Sequence, residues 1–326
     1  MVRRRPLWHW PDAFGLRHSN FLSPQGLAFA RGVSPEQAAA RIAALPCWGD
    51  RVDPTPLAGG MTNHNFVVTD RGQRYVVRLG EDIPIHGIFR FNEQAASRAA
   101  HAAGISPNVV HAESGVLVIE FIDGKTYSAE DIRDPKNFPR VVDLVKRTHQ
   151  TVAKYLAGPV LAFWVFHILR GYFADLWHSQ DPRGHLLSSL LPRAAKLEAA
   201  CGDVPMIFSH NDLLAANFID DGKRLWLIDW DYAGYNSPLF DLGGLASNNE
   251  FNHEQIDMAL SQYFGHVDEA LLYRFHATKC ASLLRETLWS MISERHSSIA
   301  FDYATYTKRN LKRFETAYEN WSQFVS

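Results

Sequence analysis

The sequence predicts an α+β fold of two lobes: a small antiparallel sheet carrying one helix, then a larger, mainly helical part. Three observations predict it. Residues 52–121 hold strand-like runs parted by Gly-, Asp- and Ser-containing turns, with one alanine-rich helical stretch among them. Beyond Asp123-Gly124 the apolar residues return at helical spacing, interrupted once by a strand, loop and hairpin. The 326-residue length is also long for a single core, so two lobes with a cleft between them follow naturally.

The elements can be justified in order. Residues 1–33 open with Arg3-Arg4-Arg5, have Asp12 as their only acid, and lack the apolar segment of a secretory signal. They are expected to be a loosely ordered extension. Ser34-Pro35-Glu36-Gln37 supplies a cap, a first-turn proline and the glutamine of a capping box, so a helix should run to about Leu45, before Pro46. Val52–Ala58, His64–Thr69 and Arg74–Leu79 read as strands, the last two joined through Asp70-Arg71-Gly72-Gln73. Phe91–Ala103 reads as a helix ended by Gly104, with Pro107 beyond, and Asn108–Ala112 and Val116–Phe121 flank the Ser114-Gly115 turn as two more strands.

Val141, Leu144, Val145 and Val152 place a helix in Asp131–Tyr155, and helices continue to about Ala200. Leu156–Leu169 is the most apolar stretch; too short to cross a bilayer, it is expected to form a buried wall. From Glu254 onward Leu271, Leu272, Phe275, Leu284, Leu288, Met291 and Ile292 are core candidates. The expected organisation is an extension (1–33), an N-terminal lobe with its hinge (34–124), and a helical C-terminal lobe (125–326).

Composition removes several function classes. Net charge −2 and pI near 6.7 leave no electrostatic footprint for nucleic acid. Cys47, Cys201 and Cys280 lie too far apart for a metal or redox motif, and fit small buried hydrophobes in a reducing, cytoplasmic setting. None of the 15 histidines forms the His-x3-His pair with a glutamate that zinc hydrolysis uses.

The chemistry is concentrated in Ser209-His210-Asn211-Asp212-Leu213-Leu214-Ala215-Ala216-Asn217 and Ile228-Asp229-Trp230-Asp231. Asp-x4-Asn followed by a later Asp is the spacing of a phosphoryl-transfer loop, which needs an oriented nucleophile and cations around the phosphate oxygens. Asp212 is the candidate general base, and His210 is expected to order the loop through hydrogen bonds. Asn217 and Asp229 offer the neutral and charged oxygens that suit magnesium shared with ATP phosphates. Isolated Asn and Asp of this kind are usually turn residues. Here Met206-Ile207-Phe208 feeds the loop as a strand, and Leu225–Ile228 delivers Asp229 from another.

Upstream, Gly59-Gly60-Met61-Thr62-Asn63 lies between two predicted strands. Gly59 and Gly60 let backbone approach a phosphate, and Thr62 and Asn63 add donors. Arg78 closes the third strand and can reach nucleotide phosphates, while Glu93 on the next helix can fix its direction.

With Arg78, His210 through Asn217, and Ile228-Asp229-Trp230-Asp231-Tyr232-Ala233-Gly234, this glycine segment resembles the choline/ethanolamine kinase family, which is grouped with aminoglycoside phosphotransferases. The similarity extends through Asn236, Phe240-Asp241-Leu242-Gly243, Leu288-Trp289-Ser290 and Phe301-Asp302-Tyr303. It implies a bilobal protein-kinase-like fold, ATP and magnesium as cofactors, and an amino alcohol as acceptor. It also implies a cation-binding aromatic box in which Trp289 takes part. In the animal choline kinases a second Trp stands where this chain has Glu286, and an acid expected seven residues after Asp241 is Asn248 here. Glu286 is then expected to attract the acceptor's cation electrostatically. Asp231 matches a family acid that contacts metal or positions the catalytic loop, and Tyr232 is a candidate pocket wall.

The expected function is therefore phosphorylation of choline or ethanolamine. The alternatives are the same chemistry on an aminoglycoside, thiamine or a sugar, and an inactive nucleotide-binding module. The presence of Asp212, Asn217 and Asp229 argues against the last.

Overall fold

A computed structural model describes residues 34–57, 63–297, 299 and 301–325. The expected extension 1–33 and the phosphate-side candidates Gly59, Gly60 and Thr62 lie outside the described residues.

Helix α1 (Pro35–Ala43) begins with the expected capping box, Ser34 and Gln37 each accepting from the other's backbone N–H. Strands β1 (Thr55–Leu57), β2 (His64–Asp70), β3 (Gln73–Leu79), β4 (Val109–Glu113) and β5 (Val116–Glu120) form an antiparallel sheet in the order β1-β2-β3-β5-β4. Ile42, Val68, Val77 and Val118 form the centre of its core. β1 is shorter than the expected Val52–Ala58. Pro54 and Pro56 withhold ladder N–H groups, which confines this segment to a brief edge strand.

Helix α2 (Arg90–Ala102) follows the loop after β3. That loop enters the helical part: Ile83 and Ile88 pack into its core, and buried His86 bonds Tyr172 and Ser293. Asn92 on α2 donates to Ala233 O and accepts from Leu161 N–H. These contacts fix α2 against two loops of the larger part.

The expected helix over Asp131–Tyr155 is divided into α3 (Ala129–Arg133), α4 (Phe138–Thr151) and a 3-10 turn. Pro135 ends the first piece, because a residue before proline is pushed away from helical backbone angles. Pro139, in the first turn of α4, lacks an N–H that would be unpaired there anyway. Helices α5 (Val165–His178) and α6 (Gly184–Cys201) follow. The expected buried wall over Leu156–Leu169 holds only from Phe163 onward. Ala157, Gly158 and Pro159 are exposed, since the proline and glycine favour a loop there.

Strand β7 (Ile207–Ser209) pairs with β10 (Gly234–Asn236), and β8 (Phe218–Asp220) pairs with β9 (Leu225–Leu227) and with the short β6 (Lys125–Thr126). Gly234 is required here: a Cβ would sit 2.8 Å from Leu161 O. Helices α7 (Pro238–Asn248), α8 (His253–Phe264), α9 (Glu269–His296) and α10 (Tyr303–Ser322) complete the chain. α9, 28 residues long, is surrounded by α5, α6, α7 and α10, so apolar side chains occupy every side of its middle. The fold is α+β and bilobal. Among the described residues no helix is long and apolar enough to cross a membrane. Cys201 and Cys280 are buried, whereas Cys47 is only partly so; none is in a disulfide.

Candidate active site

The catalytic stretch is held from beneath by Asp241 in the first turn of α7. Its carboxylate, 1% exposed, accepts from the backbone N–H of His210 (2.9 Å) and Asn211 (2.7 Å) and from His149 Nε2 (2.8 Å). His149 Nδ1 in turn accepts from the Tyr263 hydroxyl at 2.7 Å. Burial pushes the Asp241 carboxyl up, but the hydrogen bond from His149 and the electrostatic pull of its surroundings, with the His210 backbone N–H, outweigh it and hold it below its usual range.

Asn211 adopts a left-handed backbone (φ 67°), which Asn tolerates better than most residues. Its side chain donates to Tyr232 O and Gly234 O and accepts from Asn236. The loop is thus pinned across the β7–β10 pair. His210 is fully buried; Nε2 donates to Ile228 O at 2.9 Å, and Nδ1 accepts the Asp212 N–H at 3.3 Å. Burial lowers its pKa, keeping the ring neutral, and Trp230 packs against it at 4.7 Å. His210 therefore positions the loop, as its sequence context suggests.

Asp212 projects from this loop and is partly accessible. Desolvation raises its carboxyl well above the ordinary carboxylate range; Arg285 pulls it down, while Glu286, Asp229 and Asp231 push it further up. Asn217 Nδ2 donates to Asp212 O at 2.8 Å, leaving the amide oxygen available as a ligand. Asp229 also has a left-handed backbone (φ 71°), and its carboxylate is about one-third exposed. An amide oxygen with an accessible carboxylate fits magnesium shared with nucleotide phosphates.

Arg78 and Glu93 pair at 3.2 Å, as the sequence suggests. Arg78 also reaches Asp229 (2.7 Å) and Asp231 (3.1 Å), joining the sheet to the acids that follow Ile228. Asp231 further accepts from Asn63 (3.0 Å) and Arg90 (2.9 Å), and Arg90 bonds Glu93 at 2.6 Å. Burial drives Glu93 up to about 7, in spite of the two arginines. Sequence reasoning missed Arg90; its only local signal is the i,i+3 spacing to Glu93 on one helix face.

On α9, Trp289 is buried at 4% exposure, and its indole N–H donates to the Tyr232 hydroxyl at 2.9 Å. Its ring lies 5.3 Å from His86. Glu286 accepts from Arg285 and, at 3.0 Å, from the Tyr306 hydroxyl. The Arg285 guanidinium lies over the Tyr232 ring, 4.3 Å from its centroid. Asn63, Arg78, Glu93, Asp229 and Asp231 thus form one ion-paired cluster. Asp212 and Asn217 adjoin it, and Tyr232, Glu286 and Trp289 are linked to one another through Arg285 and the Trp289–Tyr232 hydrogen bond.

The family model for choline/ethanolamine kinase matches residues 55–263. The chain is 26% identical over 287 residues to protein LicA of Haemophilus influenzae, covering 82% of this chain and 79% of that protein. A probable ethanolamine kinase of Arabidopsis thaliana is 27% identical over 299 residues, covering 79% of each. The crystal structure of a choline/ethanolamine kinase family protein from Mesorhizobium loti superposes with a TM-score of 0.72 at 28% identity, over 89% of this chain and 97% of that one. With the matched segment spanning both the sheet and the catalytic loop, the chain belongs to the choline/ethanolamine kinase family.

Proposed function

We propose that the protein transfers the γ-phosphoryl group of ATP to the hydroxyl of an amino alcohol, choline or ethanolamine. The observation that carries this reading is the convergence of three parts. Asp212 projects from a loop pinned by Asp241, Asn217 and Asp229 present oxygens beside it, and the Arg78–Glu93 pair is joined to Asp229. Similarity to a probable ethanolamine kinase supports the acceptor class.

In this account the sheet, with Asn63 and Arg78 and the preceding glycines Gly59 and Gly60 beside Thr62, holds the nucleotide. Residues 34–124 would form that lobe and residues 125–326 the acceptor lobe. Glu93 and Arg90 orient Arg78, whose planar fork suits phosphate oxygens better than a point charge does. Asp212 accepts a hydrogen bond from the acceptor hydroxyl, aligns its oxygen toward the γ-phosphorus, and takes the proton as transfer proceeds. His210 holds the Asp212 backbone from behind and stays neutral. Magnesium, held by Asn217 and Asp229, would neutralise charge on the phosphate oxygens when bound. Glu286 and Tyr306 offer oxygens to the acceptor's ammonium end.

Mass-spectrometric detection of the phosphomonoester after incubation with magnesium-ATP and each amino alcohol tests the assignment. A mass gain on either acceptor is expected. Product with only an aminoglycoside, thiamine or a sugar would reject the amino-alcohol acceptor while keeping the kinase.

A further inference from the structure

The acceptor side carries a cation of its own. Arg285 lies on α9, its side chain 4% exposed, and its guanidinium covers the Tyr232 face at 4.3 Å and stands 5.6 Å from the Phe163 centroid. Trp289, one turn along, has its N–H committed to Tyr232 and its ring packed near His86. A quaternary ammonium has no N–H and is bound chiefly through the faces of aromatic rings. The Tyr232 face is taken by a resident guanidinium, and the Trp289 ring is buried among its neighbours. What the site offers instead is oxygen: the Glu286 carboxylate, the Tyr306 hydroxyl bonded to it, and Asp212 within electrostatic range of both.

From this juxtaposition we infer that Arg285 is a specificity-determining residue, selecting an acceptor ammonium that carries N–H bonds and disfavouring a fully methylated one. The inference rests on the amino-alcohol reading above and narrows it. Arg285 repels any cationic acceptor, but an ammonium with N–H groups regains attraction by donating to Glu286. A trimethylammonium cannot donate, and it also meets a ring face already covered. One lost desolvated cation–π contact alone corresponds to about 30-fold in binding. Each methyl added to the amine also removes one donor, so discrimination should grow stepwise.

The test is kcat/KM for ethanolamine, N-methylethanolamine, N,N-dimethylethanolamine and choline, in the native chain and in Arg285→Met. The native chain should show a falling series, with choline at least about 30-fold below ethanolamine. Arg285→Met, of similar length and without charge, should raise choline relative to ethanolamine at least tenfold and leave KM for ATP unchanged. If Arg285→Met does not fold, Arg285→Lys retains the charge without the planar guanidinium and should keep choline disfavoured. A flat or rising series in the native chain overturns the inference while leaving the kinase intact, as does an Arg285→Met ratio equal to the native one. No turnover on any of the four, with ATP still bound, removes the amino-alcohol reading and this inference with it.

Discussion

Replacing Asp241 by Asn should expose how strongly the catalytic loop depends on one buried carboxylate. The side chain keeps its shape, but one oxygen becomes an NH2 donor. If that group takes the Oδ1 position, it faces the Asn211 N–H, and two donors oppose each other. Orphaning one buried N–H costs roughly 1–3 kcal/mol. The other two bonds, from His210 N–H and His149, survive as neutral contacts and lose about half their strength, roughly 1 kcal/mol each. Relief from burying a charge offsets part of the total, leaving a destabilisation of about 2–4 kcal/mol.

That loss should appear as a lower urea midpoint with an unchanged m-value. Activity should fall as well, because a displacement of about 1 Å at a reacting group can cost on the order of 10²-fold. The pH dependence has a definite sign. Asp241 is held below its ordinary value in the folded protein, so its stabilisation is complete above the unfolded value of about 3.9. It disappears as pH falls through the lower folded value. The gap between native and Asp241→Asn should therefore be constant near neutrality and close below about pH 4. An Asp241→Asn protein with native urea midpoint and native kcat at pH 7 would refute the reasoning.

Other expectations follow from the same geometry. Arg78→Met removes one cation from among Glu93, Asp229 and Asp231 and should cost about 3–5 kcal/mol in denaturant unfolding, whereas Arg78→Lys should retain more stability but raise KM for ATP. Asn217→Ala removes an amide oxygen and the bond to Asp212 O, so a magnesium titration of activity should shift to higher concentration together with a fall in kcat.

The parts of this protein legible in its sequence are those specified locally. The Ser34 capping box, the Asp70–Gln73 turn and the β2–β3 pair each depend on residues within a few positions of one another. Asp212 and Asn217 share one loop, so their spacing already carries their geometry. Arg90 and Asp231 do not: they are 141 residues apart, and only packing of α2 against the catalytic hairpin brings them to 2.9 Å. Arg285 is visible in the sequence as a neighbour of Trp289, but its position over Tyr232 follows from how α9 crosses the loop after β9. The single helix expected over Asp131–Tyr155 rests on apolar residues from Val141 to Val152, all beyond the helix break at Pro135, so their spacing does not register it. α7 is hard to see for another reason: its first turn, Pro238-Leu239-Phe240-Asp241, is buried on all sides and lacks amphipathic periodicity.

The most direct measurement of the central claim is ADP release from magnesium-ATP with choline and with ethanolamine, for the native chain and Asp212→Ala. The account predicts acceptor-dependent release by the native chain and a fall of about 10²–10⁴-fold in kcat for the variant, with ATP affinity retained. Equal release by native protein and Asp212→Ala would contradict the assignment of Asp212 as the base, and no release with either acceptor would contradict the amino-alcohol kinase reading.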